Sequence, residues 1–361
     1  MKRRHFLAAA SVAPFFHGSG SSAQGYLNTT DLSVTARSVW ESWKGAYMQT
    51  DGRVVDALQQ GASHSEGQGY GALLATEFGD EMAFRQMVDW AEMNLSIRGD
   101  GLLAWRYLSN QPTPVPDLNN ASDGDLFYAW ALVRGSTRFG DRRLLTRAIT
   151  TAQALAEKCI VPSLANRDIS VFIPGAQGFV SADRIVFNPS YIMPRAMREV
   201  ASATGVVQLA NAAQHAETML AQLAERALVP DWVQITSNGM AGAEGFSTVA
   251  GYEAMRVPLY LIWSGQPRHP AVTRITRVYA NSLNTGAPVP TKIDTVSEEV
   301  LEASIDPGYR SLAALVSCAA MSGQAGSSMP SFDPSQPYYP ATLHMFAMIA
   351  ANQVVPECVP I

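Results

Sequence analysis

Phe78-Gly79-Asp80 and Phe139-Gly140-Asp141 repeat one tripeptide 61 residues apart. Each stands between two stretches of helix-period apolar patterning. Glycine suits the left-handed position that ends a helix, and aspartate suits the cap of the helix that follows. Further glycine breaks stand at Gly205, Gly265 and Gly323, so successive breaks lie 61, 65, 60 and 58 residues apart. A period near 60 accommodates an inner helix, a glycine turn, an outer helix and a long return loop, and a recurring period signals a repeat architecture. The patterning predicts inner helices at about 66–78, 123–139, 190–204, 251–264, 307–322 and 338–353. Outer helices are expected at about 80–97, 141–158, 206–228 and 270–284, with a helix at about 31–48 closing the ring from outside. The expected fold is all-α: an (α/α)6 barrel of six inner and about six outer helices. Residues 323–337, rich in Gly, Ser and Pro, leave one outer helix unaccounted for. Short strands are expected at Ile169–Ile173 and Ile185–Phe187.

Composition excludes several classes of function. The 361 residues are 47% hydrophobic, ample for a large core, and only 16% charged, against roughly 25% in ordinary soluble chains. A net charge of −5 is poorly suited to gripping a phosphate backbone, so no nucleic-acid partner is expected. No apolar run beyond the N-terminal leader is long enough to span a membrane. Neither the six histidines nor the three cysteines have metal-ligand spacing, and no phosphate-cradling glycine loop is present. No metal or organic cofactor is expected. Cys159, Cys318 and Cys358 read as three buried thiols.

The leader Lys2-Arg3-Arg4-His5-Phe6-Leu7 precedes an apolar stretch to Phe16 and the small residues Ser21-Ser22-Ala23. Charged, apolar and small parts in that order make an export signal, and the Arg pair resembles the twin-arginine type. Residues 1–23 are expected to be removed, leaving one catalytic domain, 24–361, in the periplasm or outside the cell.

Polar residues gather at the starts of the expected inner helices. Ser65-Glu66-Gly67-Gln68-Gly69-Tyr70-Gly71 opens the first; glycine is costly in a helix, so the pair at its start implies close approach by something else. Ala121-Ser122-Asp123-Gly124-Asp125 opens the second and Asn188-Pro189-Ser190-Tyr191 the third. Gly251-Tyr252-Glu253-Ala254-Met255-Arg256 opens the fourth, Asp306-Pro307-Gly308-Tyr309 the fifth and Pro337-Tyr338-Tyr339-Pro340 the sixth. Parallel inner helices would bring all six starts to one rim. Carboxylates beside aromatic rings suit carbohydrate, whose faces stack on rings and whose hydroxyls bond to acids. Glycosidic cleavage needs one protonated acid and a second carboxylate.

These blocks resemble glycoside hydrolase family 8, a family of endoglucanases, xylanases, chitosanases and lichenases. The segment 121–125, with Ala129, Ala131-Leu132-Val133 and Phe139, is similar to the family signature, from which Tyr128 and Gly135 depart. The segments 65–71, 188–191 and 252–258 resemble three further blocks, and the likeness runs from about residue 40 to 350. It implies an (α/α)6 barrel and an inverting mechanism. By motif, Glu66 would be the general acid, Asp123 would bind and distort the sugar at the scissile bond, Tyr191 would hold the attacking water and Trp105 would offer a stacking platform. Asp125, Tyr252 and Arg256 complete the expected sugar contacts. The general base would follow Tyr252, where most members carry Asp and this chain carries Glu253. A longer base narrows the roughly 6.5–9.5 Å that an inverting pair leaves for water, so Asp231 and Glu244 are alternative bases. The expected substrate is a β-1,4-glucan, as for endoglucanases that accompany bacterial cellulose or exopolysaccharide synthesis. Chitosanase, lichenase or xylanase activity, or a binding protein on the same scaffold, are the alternatives.

Overall fold

The computed structural model describes residues 34–321 and 326–360. The export signal and Gly323 lie outside them. Eleven α-helices form among the described residues. Six are inner: α2 (Ser65–Phe78), α4 (Ser122–Phe139), α6 (Pro194–Thr204), α8 (Arg256–Trp263), α10 (Pro307–Ala320) and α11 (Tyr338–Val354). Five are outer: α1 (Val34–Tyr47), α3 (Glu81–Asn94), α5 (Arg142–Cys159), α7 (Val207–Arg226) and α9 (Pro270–Thr285). Five outer helices accord with the expected number of about six, and the described residues between α10 and α11, 326–337, form no helix.

The tripeptide breaks behave as their chemistry requires. Gly79 and Gly140 take positive φ, 67° and 70°, at the ends of α2 and α4. Asp80 then accepts from the Ala83 amide at 3.0 Å, and Asp141 from the Arg143 amide at 3.0 Å. The inner helices α2, α8 and α11 are buried nearly all round, whereas the outer α5 and α9 bury a single stripe. That is the sequence difference between an element covered on all sides and one facing water.

α1 closes the ring from outside. Trp40 stacks on Phe78 of α2 at 5.5 Å, and the Trp43 indole donates to Thr342 Oγ1 of α11 at 3.1 Å. Both tryptophans are almost wholly buried, and a buried side chain of this size contributes roughly 1.5–3 kcal/mol or more.

The expected short strands form as β4 (Ser170–Phe172), paired with β3 (Ile160–Pro162), and β5 (Ile185–Phe187). β5 joins a three-stranded antiparallel sheet with β6 (Val233–Thr236) and β7 (Gly239–Gly242). Two strand pairs were not legible in the sequence: β1 (Ser63–His64) with β2 (Arg106–Tyr107), and β8 (Val289–Ile293) with β9 (Val300–Ser304).

Three buried thiols are not what forms. Cys318 and Cys358 join in a disulfide across 40 residues, and only Cys159 stays a buried free thiol. The ends of α10 and of the chain meet here, with Cα atoms 5.8 Å apart, and no sequence spacing encodes that meeting. In the chain-entropy model a loop of this length is worth about 4 kcal/mol.

Candidate active site

Two close helix contacts build the site. A Cβ on Gly124 would lie 2.6 Å from the Glu66 amide nitrogen, and one on Gly69 would lie 2.8 Å from the Tyr128 amide nitrogen. The glycines of the first two helix starts therefore let α2 and α4 touch backbone to backbone. The partner whose approach they allow is a neighbouring helix, and it brings Glu66 beside Asp123. Within α2 every residue is buried except Glu66, whose side chain keeps 22% of its surface exposed.

Arg256, the first residue of α8, is the centre of the rim. Its guanidinium is 2% exposed and reaches carboxylates from three elements. Nη1 donates to Glu66, to Tyr70 Oη at 3.0 Å and, at 3.5 Å, to Asp123. Nη2 donates to Glu253 and to Ser190 Oγ at 2.7 Å. Four helix starts thus converge on one cation. The other two reach the same rim through tyrosines: Tyr339 donates to the Tyr252 carbonyl, and Tyr309 packs 6.0 Å from the Tyr252 ring.

Glu66 and Asp123 both accept from Nη1 of Arg256, which holds the two carboxyls side by side. Burial, and then the neighbouring Glu66 charge, push Asp123 well above the usual carboxylate range. Three carboxylates around one arginine would leave the cluster negative, and retaining a proton relieves it. Glu253 sits differently. Arg256 Nη2, Ser190 Oγ at 2.9 Å and Asn188 Nδ2 at 3.2 Å all donate to its Oε2. These bonds leave Oε1 for another donor. Asn188 and Ser190 belong to the quoted helix-start block, yet residue type alone gave no reason to single them out.

The remaining sequence-nominated residues divide. Tyr191 lies with its ring 5.8 Å from the Arg256 guanidinium carbon, in the cluster. Trp105 stands at the rim, half-buried: its carbonyl accepts from the Ser65 amide at 3.0 Å, and its ring stacks 5.9 Å from His64. Tyr252 is half-buried on the same rim, its hydroxyl donating to Glu302. Asp125 does not face the cleft. It is wholly buried, with one oxygen accepting from the Leu103 amide at 2.8 Å and the other from Asn120 Nδ2 at 2.9 Å. It ties the loop after α3 to α4; two residues along the helix from Asp123, a rotation of about 200°, turn it to the barrel wall. The alternative bases also fall outside the cluster. Asp231 accepts from the amides of Gly251 and Ala254, at 2.8 and 2.9 Å, and from Ser247 Oγ at 2.8 Å. It clamps the turn that carries Glu253. Glu244 is exposed on the loop after β7.

Burial raises Asp125 to about 7. Such a group stabilises the fold fully below its unfolded value near 4 and loses that contribution as pH rises through 7. Asp125→Asn should therefore gain in Tm relative to the parent chain as pH goes from 4 to 8. A Tm difference that stays constant over this range would show that Asp125 does not titrate there.

A second buried arginine makes a useful contrast. Arg134 pairs with Glu77 and Glu199 and lies under the Trp130 ring. Glu77 belongs to the last turn of α2, far from the rim, so this cluster braces the opposite end of the barrel.

Three carboxyl side chains gathered on one arginine, on the aromatic-lined rim of an (α/α)6 barrel, define a glycoside hydrolase. Residues 22–353 match the model of the glycosyl hydrolases family 8, and the chain belongs to that family. It is 33% identical to an endoglucanase of Cellulomonas uda over 231 residues, 63% of this chain and 64% of that one. It is 30% identical to a probable endoglucanase of Novacetimonas hansenii over 315 residues, 86% of this chain and 89% of that one. The solved endo-beta-1,4-glucanase CMCax from Acetobacter xylinum superimposes with a TM-score of 0.79 at 29% identity, over 88% of this chain and 98% of that one.

Proposed function

We propose that this endo-β-1,4-glucanase works by inversion, with Glu66 as general acid, Glu253 as general base and Asp123 binding the sugar at the scissile bond. The observation that carries the reading is that two glutamates on one guanidinium have unlike surroundings otherwise. Burial and the Glu66 charge beside it hold Asp123 well above the usual carboxylate range, so a proton is kept in the cluster next to Glu66. Glu253 takes three donors on one oxygen, an arrangement suited to a carboxylate, and offers the other to water. Tyr191, against Arg256 and next to Ser190, is placed to hold that water. A neutral Asp123 can donate to a sugar hydroxyl. The acid assists departure while the base deprotonates water on the opposite face. This requires no metal or organic cofactor.

Cleavage of a β-linked oligosaccharide followed by proton NMR tests the stereochemistry. The first-formed product should be the α-anomer; an initial β-anomer would mean retention and would remove the water-activating role of Glu253.

We also read the leader at Arg3-Arg4 as an address for the periplasm or beyond, with service to an exopolysaccharide synthesis system. The disulfide supports an oxidising compartment. No helix among the described residues is long and apolar enough to cross a membrane.

A further inference from the structure

Arg256 has more acceptors around it than hydrogens to give them. A guanidinium carries five N–H bonds in a fixed fork, two on each terminal nitrogen. Those on Nη2 go to Ser190 Oγ, at 2.7 Å, and to Glu253. Nη1 meets three acceptors: Glu66, Tyr70 Oη at 3.0 Å and Asp123 Oδ2 at 3.5 Å. Glu66 lies nearest and takes one hydrogen. Tyr70 and Asp123 compete for the other, and distance favours Tyr70. Asp123 Oδ2 is left with a contact at the outer limit of a hydrogen bond, while its Oδ1 accepts from the Gly124 amide at 2.8 Å.

Tyr70 is held so as to win that competition. Its hydroxyl also meets Tyr260 Oη at 2.6 Å. Arg256 can only donate, so the Tyr70 hydrogen points to Tyr260 and a lone pair stays turned to Arg256. The ring has no room to swing away: it is 1% exposed, with Phe127 edge-on at 4.6 Å and Phe346 edge-on at 4.9 Å. Burial pushes the hydroxyl well above its ordinary range. It therefore stays neutral and gives Arg256 an acceptor without a charge.

We propose that Tyr70 is a positioning residue of the reaction: it withholds one Arg256 hydrogen from Asp123 and so denies that carboxyl the donor its ionised form needs. The charges around Asp123 act in the same sense. Facing it are Glu66 from α2, Glu253 from the turn before α8 and the neutral hydroxyls of Tyr70, Tyr191 and Tyr260, against the one cation Arg256. Burial and the Glu66 charge raise Asp123, and the withheld donor adds to them, because a hydrogen bond to the ionised form would lower it. Asp123 thereby keeps its proton and can donate to a sugar hydroxyl. This rests on the part given to Glu66 and Asp123 in the cleavage.

Tyr70→Phe tests it, since it removes the acceptor and keeps the ring. The freed hydrogen should pass to Asp123 and favour its ionised form. The alkaline limb of kcat/KM on uncharged cellohexaose, which reports the free enzyme, should then move down by about one pH unit. Above the limb kcat/KM should fall about tenfold, the proportion that one pH unit carries, and most of that loss should be recovered at acid pH. Carbon-13 NMR of the chain labelled at its aspartate carboxyls, with Asp123 assigned through Asp123→Asn, should show the same downward move in the Asp123 titration. Phe346→Leu loosens the packing on the Tyr70 ring without removing a hydroxyl; it should lower Tm and leave limb and titration in place. An unmoved Asp123 titration in folded Tyr70→Phe would overturn the proposal. Equal losses at every pH, or an equal shift in Phe346→Leu, would overturn it too, since either would report damage to the fold. A moved Asp123 titration with an unmoved limb would instead refute the part given to Asp123 in the cleavage and leave Tyr70's hold on it standing.

Discussion

Glu66→Gln should cut turnover on a β-1,4-glucan by about two decades or more, with little change in fold or in oligosaccharide binding. The amide keeps the shape and the hydrogen bond to Arg256 or Asp123 but has no acid proton to give the leaving oxygen, and general acid catalysis is worth about 10²–10⁴. Glu66 is the one residue of α2 that is not buried, so the change creates no cavity. A substrate with a good leaving group, such as an activated aryl glycoside, should recover much of the loss, because departure then needs no proton. That rescue separates a missing acid from a disturbed site. Near-normal turnover on polymer, or no rescue by the activated substrate, would remove Glu66 from the acid role.

The second large effect concerns Glu253. Glu253→Ala should abolish measurable turnover while oligosaccharide binding, read by calorimetry, stays largely intact. Glu253→Asp is sharper. The shorter side chain would pull Oε2 away from the three donors supplied by Asn188, Ser190 and Arg256, or leave Oε1 short of the water. Either way turnover should fall, by about tenfold or more. An Asp variant that is faster would show that the glutamate is not fitted to its cradle. Asp231 serves as the control. It accepts two backbone amides and a hydroxyl and lies outside the Arg256 cluster, so Asp231→Asn should lower stability more than it lowers the turnover of folded enzyme. Full activity in Glu253→Ala would pass the base role to another carboxylate.

The contrast between these two glutamates corrects a simpler expectation. One arginine one turn after Glu253 invites the thought that it serves the base alone. In the structure its two nitrogens hold both glutamates, so the arginine does not tell them apart. What does is the rest of each environment: the buried Asp123 carboxyl on the same arginine nitrogen for Glu66, and hydroxyl and amide donors for Glu253. Those partners come from α4 and from the segment before α6, and neither contact can be read from spacing within a motif.

Much was nonetheless determined by the residues themselves. Helix period, the Phe-Gly-Asp breaks and the spacing near 60 are local properties, set by side-chain volume, glycine's access to positive φ and aspartate's capping. They yield the barrel, its inner and outer helices and a common rim. Glu66, Asp123, Tyr191, Glu253 and Arg256 were nominated from that rim and do meet on it, because parallel inner helices leave their starts no other place. Tertiary structure alone decided which polar groups face the cleft. Asp125 stands two residues from Asp123, and the rotation of about 200° between them along the helix buries it against Leu103 and Asn120. Cys318 and Cys358 pair because two chain segments 40 residues apart end side by side. Tyr70 and Tyr260 stand 190 residues apart, and their hydroxyls meet only when the barrel closes. Short-range rules fix where a helix starts and stops; which side chains then share a site depends on how helices rotate and pack, and that is a sum over the whole core.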